Sequence, residues 1–269
     1  MIEGQHTKLT RVAHGIDYDP VHDLIVASEP LASSIVTYRG GSNGDVPPVR
    51  VIQGTRTKIH SPWQVAVDSA HNEIWYADFG GGYVAAFPLM ANGDVAPLRT
   101  IRDHEDGMRG VSGVAVDPER NLVFVAARSA HAPGAILVFD RLADGESSPR
   151  AIIAGPTTGI TGLWHVQVHG GKIFASITGN DYRPPYDSGG YAPVADCKGP
   201  ISEYAPRPLG FIAIWNENDH GDVPPRAIIR GPSTGITTIT GLAIDPIHGE
   251  VFTRGTLNGV LAFLIPNFF

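Results

Sequence analysis

His14, Asp17, Gln64, His165 and Gln167 are nitrogen and oxygen donors of the kind that hold a divalent cation. They stand at fixed offsets before five pivot residues, Asp19, Asp68, Asp117, His169 and Asp245. Two and four places before the pivot, two copies carry only small residues, Gly113 with Ala115 and Gly241 with Ala243. The other copies place Asp17, Gln64, His165 and Gln167 there, and His14 one place farther out. Buried polar groups cost free energy unless paired. Departures from a local pattern tend to fall on functional sites. A cation held here, calcium, zinc or iron, would polarise a carbonyl or phosphoryl oxygen and lower the pKa of bound water. Asp17 or His165, whichever is not a ligand, is the candidate general base. The alternative is a hydrogen-bonded network around trapped water.

A second ring of candidates lies at the ends of the following strands: Glu29, Asp78, Arg128 and Arg254. Arg128 is the candidate for neutralising developing negative charge. Glu29, Asp78 and Arg254 are candidates for orienting a polar substrate. Trp63 and Trp164 occupy the same offset as His14 and could stack on a ring. His131 and Tyr182 are loop candidates for substrate contact, and the loop histidines His60 and His104 are weaker ones.

The elements that position these residues follow from a repeat. GIDYDPVHDLIVAS from Gly15, QVAVDSAHNEIWYAD from Gln64, GVAVDPERNLVFVAA from Gly113, HVQVHGGKIFASI from His165 and GLAIDPIHGEVFTRG from Gly241 align. The pivots are 49, 49, 52 and 76 residues apart, the last spacing holding an insertion over 178–208. Each unit reads as four short strands separated by turns. No segment sustains a helical apolar period. A four-strand meander repeated every ~50 residues predicts a propeller blade. The expectation is an all-β, five-bladed propeller in one domain over 1–269, with blades starting near 13, 62, 111, 163 and 239. Met1–Leu9 (MIEGQHTKL) matches Val51–Ile59 (VIQGTRTKI), so the N-terminal strand is expected to complete the last blade. Residues one and three places before each pivot, such as Tyr18 and Ile16, are expected to pack between blades.

The units resemble NHL-type repeats of bacterial β-propellers, whose pattern is P-x-G-I-A-V-D, a turn, then I-Y-V-A-D. The resemblance covers the whole chain, and the pattern is also related to the senescence-marker/gluconolactonase-like propellers. Those families include lactonases, phosphotriesterases, lyases and binding modules, many of them six-bladed. The resemblance implies a site at the top of the central channel.

Composition narrows the classes. The chain has 269 residues, with 32 Gly, 22 Pro and one cysteine, Cys197. Apolar runs lie between the Gly and Pro clusters, which excludes a disordered chain. A lone cysteine excludes an internal disulfide framework and a cysteine zinc cluster. A formal charge of −7 argues against a nucleic-acid groove. No apolar run approaches the ~18 residues of a membrane span. There is no G-x-S-x-G, H-E-x-x-H or phosphate loop. The N-terminal match to part of a fourth strand leans toward a trimmed, exported chain. The function expected from the sequence is a small-molecule hydrolase of lactonase type at the channel top, with a divalent metal and no organic cofactor. A lyase acting by elimination and a non-catalytic ligand- or protein-binding propeller are the alternatives. Blades that differ most where a site would lie favour one asymmetric site over repeated pockets.

Overall fold

A computed structural model describes residues 1–103, 108–128, 134–178, 210–236, 239–254 and 259–269, the side chains of Arg109 and Arg128 excepted. The strands form five small sheets arranged as a five-bladed β-propeller. All described helical segments are three-residue 3-10 turns. Blade 1 contains β1 (Gly15–Asp19), β2 (Leu24–Glu29), β3 (Ser34–Arg39) and β4 (Arg50–Ile52). Blade 2 contains β5 (Pro62–Asp68), β6 (Glu73–Asp78), β7 (Tyr83–Pro88) and β8 (Arg99–Asp103). Blade 3 contains β9 (Arg109–Asp117), β10 (Leu122–Arg128), β11 (Ala135–Asp140) and, after β12 (Gly145–Ser147), β13 (Ala151–Ile153). Blade 4 contains β14 (Leu163–His169), β15 (Lys172–Ile177), β16 (Phe211–Asn216) and β17 (Ala227–Ile229). Blade 5 contains β18 (Leu242–Asp245), β19 (Glu250–Arg254) and β20 (Val260–Leu264).

Local chemistry explains the turns. The pivot aspartates accept backbone N–H groups in the turn that follows. Asp19 Oδ1 takes Val21 N at 3.0 Å, Asp68 Oδ1 takes His71 N at 3.0 Å and Asp117 Oδ1 takes Arg120 N at 3.0 Å. This is the turn role that Asp side chains favour. In blades 1 to 4 the middle strands are buried on both faces by neighbouring blades. Trp75, Trp215, Phe124, Phe139, Phe174 and Ile35 are fully buried there.

Blades are also clamped at their rims. The end of one blade's fourth strand bridges the turn of the next, Ile52 with Gly93 and Ile153 with Gly221, and β12 pairs in parallel with β8 in the same way. Asp94 Oδ1 then accepts Arg56 N at 2.6 Å, and Asp222 Oδ1 accepts Thr157 N at 2.6 Å. Gly54 needs φ 136°, and a Cβ there would stand 2.4 Å from Asp94 Cγ. Asp94→Ala removes a charge-assisted acceptor, and urea unfolding should show a loss of about 1.5 kcal/mol. A loss under about 0.3 kcal/mol would mean that water replaces the clamp.

Blade 5 departs from expectation. Its sheet has three described strands, and the N-terminal segment does not extend β20. Instead Ile2 bridges Gly44, and Gly4 takes φ 131° beside Asp45. This copies the way Ile52 and Gly54 dock on blade 2. Met1 and Ile2 match only the last two residues of β4, too short a stretch to hold a ladder alone. Innermost strands touch in the order β1, β5, β9, β14, β18, and among the described residues β1 makes no comparable contact with blade 5. Val65, Val114, Val166 and Leu242 are accordingly buried between blades, whereas Ile16 is 72% exposed and Tyr18 is also exposed. Among the described residues, the seam between blades 5 and 1 is open.

Candidate functional site

The innermost strand of each blade has one edge facing the channel, with backbone groups that its own sheet cannot satisfy. Two of the polar channel residues close such edges. Gln64 is buried, and its Oε1 accepts Val114 N and Val166 N, both at 3.1 Å. Its Nε2 donates to Val166 O at 2.8 Å. One side chain of blade 2 therefore ties blades 3 and 4, and both its amide atoms are committed. Gly113 is required opposite it, since a Cβ there would lie 2.6 Å from Gln64 Oε1. Asp17 does the same between blades 1 and 2, with Oδ2 accepting Val67 N at 2.7 Å and Oδ1 accepting Tyr18 N at 2.9 Å. Burial raises the Asp17 carboxyl to about 6 against these two N–H groups, and the Asp19 charge adds to the rise.

The other three channel residues face open space. His14, His165 and Gln167 line a cavity of about 250 Å3 together with Gln64, Thr240 and Arg254. Ile16, Gly241, Leu242, Ala243, Phe252, Thr253 and Val260 complete its wall. His165 is 7% exposed, and its backbone N–H is held by Ser176 Oγ at 3.0 Å. Its Nε2 is buried without a hydrogen-bond partner in the structure. Burial, with a smaller contribution from the neighbouring His14, lowers its imidazole to about 4. Burial also holds His14 below the ordinary histidine value. Both rings are therefore neutral at physiological pH.

Aromatic rings stand beside the cavity. Trp63 is the centre of a parallel stack, with His14 at 4.5 Å, Trp164 at 4.8 Å and Phe79 at 4.0 Å between ring centroids. All four are half-exposed. Phe79 follows β6 directly and has no aromatic counterpart in the other blades, so the repeat alone did not single it out. The stack is built on backbone anchors: Ser28 Oγ donates to Trp63 O, and Ser112 Oγ donates to Leu163 O at 2.7 Å. Scans of protein-family models and of curated proteins gave no match to this chain.

Several expected site residues are used differently. Asp78 is fully buried and accepts His60 N at 2.8 Å, Ser61 N at 3.0 Å and Gly81 N at 2.8 Å. Glu29 holds the equivalent loop of blade 1, with Oε2 accepting Thr10 N at 2.8 Å and the Thr10 hydroxyl at 2.6 Å. Burial raises the Glu29 carboxyl, and Thr10 opposes the rise. Neither residue lines the cavity. The signal for this role is the spacing from Thr10 to Glu29 and from His60 to Asp78, which joins the residues before the first strand to the end of the second. Arg254 does reach the cavity wall. Arg128 ends β10 opposite Arg109. The Arg128 side chain, the weaker candidate His104, His131 and Tyr182 lie outside the described residues, as does 179–208 of the expected insertion. Among the described residues no three His, Cys, Asp or Glu side chains form a metal-holding group. No described helix is long and apolar enough to cross a membrane.

Proposed function

We propose that this chain binds a compact, ring-bearing small molecule at the mouth of the propeller channel. The observation that carries the reading is the buried, unpartnered Nε2 of His165 in a cavity beside the Trp63 stack. An unpaired buried nitrogen costs free energy that a ligand hydrogen bond recovers. His14, which lines the cavity, offers an aromatic face to a ring and is backed by Trp63 at 4.5 Å between centroids. With both histidines neutral, the polar end suits an uncharged hydrogen-bonding group such as a hydroxyl, amide or ester carbonyl.

Hydrolytic ring opening of a lactone is the second reading, favoured by His165, whose neutral, unpartnered Nε2 lines the cavity and can accept a proton from an attacking water. A divalent cation in this reading would draw on His14, His165 and Gln167, because Gln64 is committed to backbone groups. Such a cation would supply Lewis-acid polarisation of the ester carbonyl.

The test is saturation-transfer NMR with δ-valerolactone, methyl β-D-glucopyranoside and adenine, on the wild-type chain and on Trp63→Ala. At least one compound should receive saturation, with affinity about tenfold weaker in the variant, matching loss of one stacking contact of ~1 kcal/mol and its buried area. Transfer to all three that is unchanged in Trp63→Ala, or none to any, would reject the reading. Disappearance of δ-valerolactone during the run, unchanged by chelator, would favour direct base catalysis over the metal-assisted form.

A further inference from the structure

The cavity is not closed on the side of the open seam. Its lining combines polar groups, His14, His165, Gln167 and Arg254, with the apolar Ile16 of blade 1 and Phe252 and Val260 of blade 5. Ile16 and Val260 are exposed and His165 is buried, so the His165 end is the deeper one. Val260 is 76% exposed, and Leu264 on the same face of β20 is exposed as well. From Val260 to Leu264 the strand runs ~13 Å. Tyr18 continues the blade 1 side two residues beyond Ile16. In the four closed seams the equivalent valines and leucine are covered by a neighbouring blade. Here the exposed Ile16 and Val260 belong to the same cavity lining as His165, whose Nε2 is buried without a partner.

We propose that the ring-bearing ligand is an amphiphile, its head carrying the ring and the hydrogen-bonding group seated against His165 Nε2, and its unbranched aliphatic chain lying in the seam between blades 1 and 5. This rests on the reading of the channel mouth as a small-molecule site and names its ligand class. The depth of His165 in the cavity sets the orientation. A chain in the seam removes the Ile16 and Val260 side chains from water, and a head group pointing outward would leave the His165 nitrogen unpaired. A charged head is not required, because His14 and His165 are both neutral at physiological pH.

The test uses 1-butanol, 1-hexanol and 1-octanol, the simplest amphiphiles with one hydroxyl, titrated by ligand-observed NMR. Affinity should rise about fourfold per methylene as the chain fills the seam. Ile16→Asp and Val260→Asp, which sit on exposed positions and should fold normally, should each flatten that dependence. In the wild-type chain the bound hydroxyl should shift the His165 Nε2 resonance. A chain-length dependence that survives both aspartate variants would place the alkanols elsewhere and overturn the proposal. So would the absence of any chain-length dependence. If ring compounds bind through Trp63 while alkanols fail, the amphiphile class falls and the small-molecule site stands. If alkanols bind as described while no ring compound does, the ring preference falls instead.

Discussion

Gln64→Met should destabilise the propeller by about 4 kcal/mol, with little change in volume at the site. The wild-type amide satisfies Val114 N, Val166 N and Val166 O at once. Both valines are fully buried, so water cannot substitute. Each stranded backbone group costs ~1–3 kcal/mol, and three are affected. Methionine keeps the length and the apolar contacts, which separates the lost hydrogen bonds from a cavity effect. Denaturant unfolding of the two chains measures the difference directly. A loss below about 1 kcal/mol would mean that the channel edges find other partners, and the bridge across blades 2, 3 and 4 would lose its structural role.

The second large effect is on acid stability, and two residues oppose each other in it. His165 has a folded pKa near 4 against an ordinary 6.5. Between those values the unfolded chain takes a proton that the folded chain refuses. Stability from this group is full above pH 6.5 and falls as pH drops toward 4, by up to ~3 kcal/mol. Asp17 runs the other way. Its folded pKa near 6 lies above 3.8, so the folded chain keeps a proton that the unfolded chain releases. Its contribution is full below pH 3.8 and is lost as pH rises through 6. From pH 6 to 4 these two contributions therefore largely cancel in the wild-type chain, and the variants are read as slopes relative to it. Asp17→Asn should uncover a steep acid-side loss, and His165→Gln should make the chain gain stability with acid over the same range. The slopes decide the matter, since Asp17→Asn also weakens the bonds to Val67 N and Tyr18 N. Parallel curves for all three chains would show that neither group titrates as its burial implies.

The architecture was legible because the V-A-V-D strand and its turn recur with a pivot aspartate. Those aspartates bond the following turn, as turn chemistry requires. The positions of His165 and Gln167 were legible for the same reason: counting back from a pivot gives the facing direction of each side chain. His14 sits at an odd offset, and that count does not place it with them. The roles of Gln64 and Asp17 were not. Their partners are free strand edges of other blades, Val114 and Val166 for one and Val67 for the other, and a repeat pattern does not display which edge a side chain will reach. Glu29 and Asp78 stood at the right strand ends, yet turn onto the loop before their own blade. Phe79 joined the aromatic stack without a repeat counterpart to mark it. The open seam was hidden most deeply. Ile16 and Tyr18 carry the same apolar pattern as Val65 and Val67, and only the missing contact with blade 5 leaves them exposed.

The most direct test of the account follows the imidazole nitrogens of His165 by 15N NMR, from pH 8 to 5, before and after addition of δ-valerolactone, methyl β-D-glucopyranoside or adenine. The account predicts a neutral ring that does not titrate across that range and an Nε2 signal that moves when a compound occupies the mouth. A His165 that titrates near 6.5, or an Nε2 signal unmoved by a compound whose binding depends on Trp63, would contradict it.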